Sequence, residues 1–147
     1  MRCEPLVSMG QLSRTLNQLG WTIPILPELD DLTVGGLVMG TGIETSSHKY
    51  GLFQVNSKLF FFASNHTVII FTFQHICKSY ELVMADGSIA TCSETENSDL
   101  FYAVPWSYGT LGFLVSVEIQ IIPCKRFIKL DYYPTHTIDQ TAEVINI

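Results

Sequence analysis

Four glycines fall within eight positions, Gly35, Gly36, Gly40 and Gly42. No other stretch constrains the chain as tightly, because residues without a Cβ let backbone N–H groups come close to one another and to a ligand. Thr41, Thr45, Ser46 and Ser47 place hydroxyls beside these glycines. Such a segment suits a diphosphate, and it equally suits a structural turn; both readings stand at this level. It is not a dinucleotide fingerprint, since Gly40-x-Gly42 is followed by Thr45 where a third glycine would be needed. It is not a P-loop, since no Gly-Lys-Ser/Thr follows. Glu44 would repel a phosphate if it faced inward, so it is expected to turn outward or to cap local N–H groups. A second glycine segment is Pro105-Trp106-Ser107-Tyr108-Gly109-Thr110-Leu111-Gly112. Its aromatics and glycines can line a flat cofactor or form a tight turn with core rings.

The rest reads as an α+β mixture. Ser8 is placed to cap a helix from Met9 to Leu19, with Leu12, Leu16 and Leu19 at helical spacing and Gly20 as its stop. Cys3 to Val7 and Trp21 to Leu26 read as extended. Tyr80 to Ala85 and Ser88 to Thr91 form a hairpin around Asp86-Gly87. Asn97 or Ser98 can cap a short helix toward Ala103. Phe113 to Ile122 alternates, with Val115, Val117, Ile119 and Ile121 on one side of a half-buried strand. Phe127 to Tyr133 is expected as a further strand, and Ile138 to Ile147 as the start of a helix.

At 147 residues the chain is one domain or part of one. Hydrophobic residues make up 47% and charged residues 15%, which argues against disorder and for a surface that something covers. With 14 acidic and 8 basic side chains, net charge −6, there is no basic stripe to track nucleic acid. Cys3, Cys77, Cys92 and Cys124 have no C-x-x-C spacing and are expected as free, mostly buried thiols. His48, His66, His75 and His136 show no metal-ligand spacing, so no metal is expected. The start lacks the apolar core of a signal peptide. The longest apolar stretch, Leu59 to Phe73, is broken by Ser64-Asn65-His66-Thr67 and falls short of a membrane span.

Three segments carry a family resemblance. Pro27 to Glu44 continuing through Ser46-Ser47-His48-Lys49-Tyr50-Gly51-Leu52-Phe53, Glu81 to Ser88, and Glu96 to Ser107 continuing through Gly109-Thr110-Leu111-Gly112-Phe113-Leu114-Val115 are similar to animal Δ24-sterol reductases. The resemblance implies a partial FAD-binding domain of the PCMH type, within the vanillyl-alcohol-oxidase-like flavoproteins, and mainly its second subdomain. Members hold FAD between two α+β subdomains, use NADPH as reductant and reduce the side-chain double bond of sterols at the endoplasmic reticulum membrane. Carried onto this chain, the FAD loop is Thr41, Gly42, Ile43, Glu44, Thr45, Ser46 and Ser47, with Thr45 standing where serine is usual. Gly35, Gly36 and Gly40 would shape the approach to the diphosphate. Trp106, Ser107, Gly109, Thr110 and Gly112 would lie near the isoalloxazine or ribityl part. No catalytic residue is assigned within the chain.

The family pattern is continuous if Gln54 is joined directly to His75. The 20 residues Val55 to Gln74 are therefore extra. Valine codons begin with GT, and Phe73-Gln74 can be encoded by a pyrimidine run and CAG, so a retained intron is the expectation. A hairpin of Lys58 to Ala63 with Val68 to Phe73 is one form the segment can take. The family's first subdomain, membrane anchor and long C-terminal cap are expected to lie outside this chain. Weak FAD binding and no turnover would follow. The alternatives are another FAD-linked oxidase of the same superfamily and a non-catalytic truncated product.

Overall fold

A computed structural model describes residues 1–53, 59–63, 67–71 and 76–145. Among these residues the strands are β1 (Arg2–Cys3), β2 (Trp21–Thr22), β3 (Leu59–Ala63), β4 (Thr67–Phe71), β5 (Cys77–Val83), β6 (Ile89–Ser93), β7 (Phe113–Ile119) and β8 (Ile122–Pro123). The helices are α1 (Met9–Gln18), α2 (Val34–Met39), α3 (Ser47–Tyr50), α4 (Ser98–Ala103) and α5 (Ile138–Ile145).

The local signals work as expected for α1. The Ser8 hydroxyl accepts from the Gln11 N–H at 3.2 Å, and Gln11 Oε1 accepts from the Ser8 N–H at 3.0 Å. This reciprocal pair satisfies two N–H groups at the helix start. Gly20, at φ 79°, follows its end. Met9, Leu12 and Leu16 turn inward, but Leu19 lies past the last turn and is exposed. The hairpin from β5 to β6 turns at Asp86-Gly87, where Asp86 Oδ1 accepts from the Ser88 N–H at 2.9 Å. That contact and the Ser88 hydroxyl hold the Asp86 carboxyl below its usual pKa.

The main sheet has the order β1-β7-β5-β6 and is antiparallel throughout. One face packs under α1, α2 and α4. Met9, Leu12, Leu16, Val34 and Val38 meet Tyr80, Leu82, Val117 and Ile119 in a single core cluster. Phe101 of α4 lies on Tyr80 with ring centroids 5.2 Å apart. The Tyr80 hydroxyl is buried there beside the Cys77 thiol. All four cysteines are free; Cys77 and Cys92 are buried, while Cys3 and Cys124 are half-buried.

Several expectations need correction. The strict alternation of β7 is broken by a register shift: Glu81 pairs with Ser116 but Leu82 with Leu114, leaving Val115 as the extra residue. Leu114, Val117 and Ile119 face the core, and Val115 is exposed. Ser116 instead turns to the other face, where its hydroxyl donates to Glu81 Oε2 at 2.9 Å. Phe127 to Tyr133 forms no strand, and Phe127, Ile128, Leu130, Tyr132 and Tyr133 are exposed. High β-propensity makes no strand without an edge to pair with. Of the first extended stretch, Cys3 to Val7, only Cys3 joins β1, opposite Val117, and Arg2 before it pairs with Glu118. Asn97 precedes α4 at φ 45°, but its side chain donates to Thr91 O at 2.7 Å instead of capping the helix.

The largest difference concerns the glycine run, which is helical over Val34–Met39. Thr33 caps it, its hydroxyl accepting from the Gly36 N–H at 3.2 Å. The cap and the buried trio Val34, Leu37 and Val38 outweigh the helix cost of two glycines, about 1 kcal/mol each. In the 55–74 segment, β3 pairs with β4 and with no other strand described, in the register Phe61 opposite Ile69. Lys58, Thr72 and Phe73, also expected in that hairpin, lie outside the described residues.

Candidate functional site

The two glycine segments, about seventy residues apart in sequence, meet in space. Ser107 Oγ donates to Met39 Sδ at 3.1 Å, and the Tyr108 N–H donates to Met39 O at 3.2 Å. Between them opens a cleft of about 720 Å³. Gly35, Gly36, Met39 and Gly40 line one side of it, and Tyr108, Gly109, Gly112, Phe113, Leu114 and Val115 another. Glu4, Pro5 and Leu6 complete it, brought there because β1 pairs with the far end of β7.

The cleft is mainly apolar, and among the described residues Glu4 is its one carboxylate and no lysine or arginine lines it. Of the two readings open for the glycine run, convergence of its amides on one point is not what the backbone does. Gly35 N–H donates to Pro5 O at 2.8 Å, Gly36 N–H to the Thr33 hydroxyl at 3.2 Å, and Gly40 N–H to Gly36 O at 2.8 Å. The glycines serve close packing instead. A Cβ on Gly35 would stand 2.8 Å from Pro5 Cβ, and one on Gly42 would stand 2.7 Å from Phe53 Cβ. The wall formed by α2 is therefore a smooth backbone surface whose donors are already used.

Gly35→Ala is accordingly expected to push Pro5 away from α2. Overpacking of this kind costs about 1–3 kcal/mol, against up to about 1 kcal/mol regained in helix propensity. A chemical denaturation curve should show a net loss. A Gly35→Ala chain as stable as the wild type would mean the Pro5 segment yields freely.

The segment Thr41 to Ser47 leaves α2 and does not line the cleft. Gly42 is buried, and its carbonyl accepts from the Phe53 N–H at 2.9 Å. The Ser46 hydroxyl donates to Pro24 O at 2.9 Å, and the Ser47 hydroxyl accepts from the Glu44 N–H at 2.8 Å. Thr41, Ile43 and Thr45 are exposed. Burial, and after it the neighbouring Glu28 carboxyl, push the Glu44 carboxyl above its usual pKa. Of the residues expected at a cofactor, Gly35, Gly36, Gly40, Gly109 and Gly112 gather on the cleft. Thr41, Gly42, Ile43, Glu44, Thr45, Ser46, Ser47, Trp106, Ser107 and Thr110 are not among its lining.

The second glycine turn is strained. Trp106, Tyr108 and Gly109 have φ of 61°, 49° and 80°. For the two aromatics this left-handed conformation costs of order 1–3 kcal/mol each. Hydrogen bonds hold the turn: Thr110 N–H to Ser107 O at 3.0 Å, and Ser107 N–H to Val104 O at 3.1 Å. Residue reasoning missed Glu4, Pro5, Leu6, Met39, Phe113, Leu114 and Val115 as cleft residues, whereas Tyr108 is one of the two aromatics read from sequence as able to line a flat cofactor. Apolar residues at 113 and 115, immediately after the second turn, were the available signal. Nothing local could place Pro5 against α2.

Among the described residues no three His, Cys, Asp or Glu side chains group as metal ligands. No helix among them is long and apolar enough to cross a membrane. The Lys49 ammonium lies 5.1 Å from the centre of the Tyr50 ring, so both side chains are engaged locally.

No family model matches the chain. It is 57% identical to Delta(24)-sterol reductase of Rattus norvegicus over 143 residues, 97% of this chain and 24% of that protein. The chain thus spans about a quarter of the length of the curated relatives it matches. The structure superimposes on 6-hydroxy-D-nicotine oxidase of Arthrobacter nicotinovorans with a TM-score of 0.61 at 24% identity, covering 83% of this chain and 22% of the other. It superimposes on xylooligosaccharide oxidase of Myceliophthora thermophila with a TM-score of 0.62, at the same identity and coverage. The resemblance to Δ24-sterol reductases holds across nearly the whole chain. The fold is α+β, that of the matched parts of these two oxidases.

Proposed function

We propose that this chain, which matches a quarter of the length of Δ24-sterol reductases and carries part of a PCMH-type oxidase fold, forms one wall of the FAD site of an NADPH-dependent sterol side-chain reductase. The carrying observation is the meeting of both glycine segments on one apolar cleft. FAD, when bound, supplies the hydride chemistry, and NADPH is its reductant. The residues here bind and orient. Gly35, Gly36 and Gly40 present backbone without side chains, so a flat ring system can lie against α2. Leu6, Phe113 and Val115 exclude water from its edge.

Chemistry divides the cofactor. The cleft has no cation, carries Glu4 and has its α2 glycine amides paired, so it suits the isoalloxazine ring and disfavours the diphosphate. The diphosphate then belongs to the segment Thr41 to Thr45, of which Thr41, Ile43 and Thr45 are exposed, and to parts of the site outside this chain. Sterol binding and endoplasmic reticulum residence fall to the whole reductase. So does turnover, and this chain alone is inactive in this reading.

The test is a titration of the chain with FAD, followed by flavin polarisation, with competition by riboflavin and by ADP. Saturable binding displaced by riboflavin but not by ADP is the expected result. Displacement by ADP alone would move the site to the phosphate end, and no saturable binding would remove the reading for this chain.

A further inference from the structure

We propose that Tyr108 is a ring-stacking residue that closes the mouth of the cleft over a planar ligand, and so helps to set the affinity and optical signature of a flavin held there. The inference rests on the flavin reading above. It begins from a backbone that its own side chain does not justify. Tyr108 sits at φ 49°, beside Gly109 at φ 80° and two residues after Trp106 at φ 61°. Glycine adopts such angles freely and tyrosine does not. Strained residues persist where the surrounding structure holds them and cluster at ligand sites, and Tyr108 keeps its strain while 75% exposed. Its ring stacks on no other ring among the described residues.

Tyr108 is nevertheless held firmly. Its N–H donates to Met39 O at 3.2 Å, across the cleft's two walls. The residue lines the cleft, and its Cε1 lies 3.9 Å from where a Cβ on Gly40 would be. Its backbone is thus pinned at the rim, and the ring edge stands over the side-chain-free Gly40. Trp106 shares the strain but is not among the lining residues. A flat, electron-poor ring entering the cleft would meet backbone on the α2 side and the Tyr108 ring at the rim. Offset stacking on an aromatic side chain is the contact that geometry offers.

Riboflavin is the probe, with the full chain, Tyr108→Phe and Tyr108→Gly. Glycine relieves the positive φ, so Tyr108→Gly keeps the turn while removing the ring. Phenylalanine keeps the ring but cannot donate an electron to an excited flavin. The expected result has three parts. The wild-type chain binds riboflavin and quenches its fluorescence. Tyr108→Phe keeps the affinity within about twofold and loses most of the quenching. Tyr108→Gly loses about threefold to tenfold in affinity while its melting temperature holds or rises. If the wild type binds and Tyr108→Gly binds and quenches equally well, the stacking role falls and the flavin reading survives. If the wild type shows no saturable riboflavin binding, the flavin reading falls and takes this proposal with it.

Discussion

A chain lacking Val55 to Gln74 is expected to be more soluble than the full chain and to melt higher. Both flanks of the segment are anchored at one point of the core. Phe53 and Cys77 are fully buried, and the Cys77 thiol donates to Phe53 O at 3.1 Å. Joining Gln54 to His75 leaves two residues to connect Phe53 with Ile76. With up to ~3.3–3.6 Å available per residue, the gap between atoms already in contact closes without moving the core. Shortening a connection of 22 residues to 2 lowers the closure entropy by about 2 kcal/mol. The ladder of β3 with β4 gives little back, because an isolated two-stranded hairpin is marginal in water.

The sequences Leu59-Phe60-Phe61-Phe62-Ala63 and Thr67-Val68-Ile69-Ile70-Phe71 have high β-propensity, no charge and no proline, the signature of an aggregating segment. A several-fold gain in soluble fraction and a melting temperature raised by roughly 5–10 °C are the expected readings. A deleted chain that precipitates or melts lower would show that the core depends on the segment. It would then count as an evolved part of the domain, and the proposal of an insertion from a retained intron would be withdrawn.

Stability should fall as the pH rises from 9 to 12, the Cys77 thiol alone contributing about 4 kcal/mol of the decline. Burial pushes the Cys77 thiol from 9.0 up to about 12. Between those values the unfolded chain has lost the thiol proton and the folded chain has kept it. The folded state then binds more protons, so the free energy of unfolding declines with pH. Three pKa units correspond to about 4 kcal/mol, fully present below pH 9 and gone near pH 12. Cys92, raised by burial to about 11, and Tyr80, also raised by burial, act in the same direction. Urea unfolding at a series of alkaline pH values measures the slope. Cys77→Ala should flatten it while lowering stability at neutral pH through the small cavity it leaves. An unchanged slope in Cys77→Ala would place the alkaline sensitivity elsewhere.

The contrast between signals that worked and signals that failed follows the range of the interaction. Ser8 with Gln11, and Asp86-Gly87 with Ser88, are decided within four residues, and both were legible. The Δ24-sterol reductase motifs were legible for the same reason, since each is a contiguous string. The glycine run was left open between a ligand cradle and a structural turn, because what shapes it is Thr33 capping it into a helix and Pro5 approaching from thirty residues away. Its amides are taken by Thr33, Pro5 and Gly36. The β7 alternation held at Val117 and Ile119 and failed at Val115, because one extra residue against β5 reverses which side faces the core toward the start of the strand.

By itself, then, the chain's order of residues determined the α+β class, the first helix, the β5–β6 hairpin and the two glycine segments as the places to look. Caps, tight turns and hydrophobic periodicity act between near neighbours, and their free energies do not wait for the rest of the fold. The tertiary structure alone decided that the two glycine segments share a cleft, that residues 4–6 complete it and that Tyr108 stands at its mouth. Those facts depend on β1 pairing with β7 across more than a hundred residues and on Met39 O meeting the Tyr108 N–H. Contacts of that range form only when the whole sheet is assembled, because the chain entropy lost in closing such loops is repaid by the core and not by any local preference.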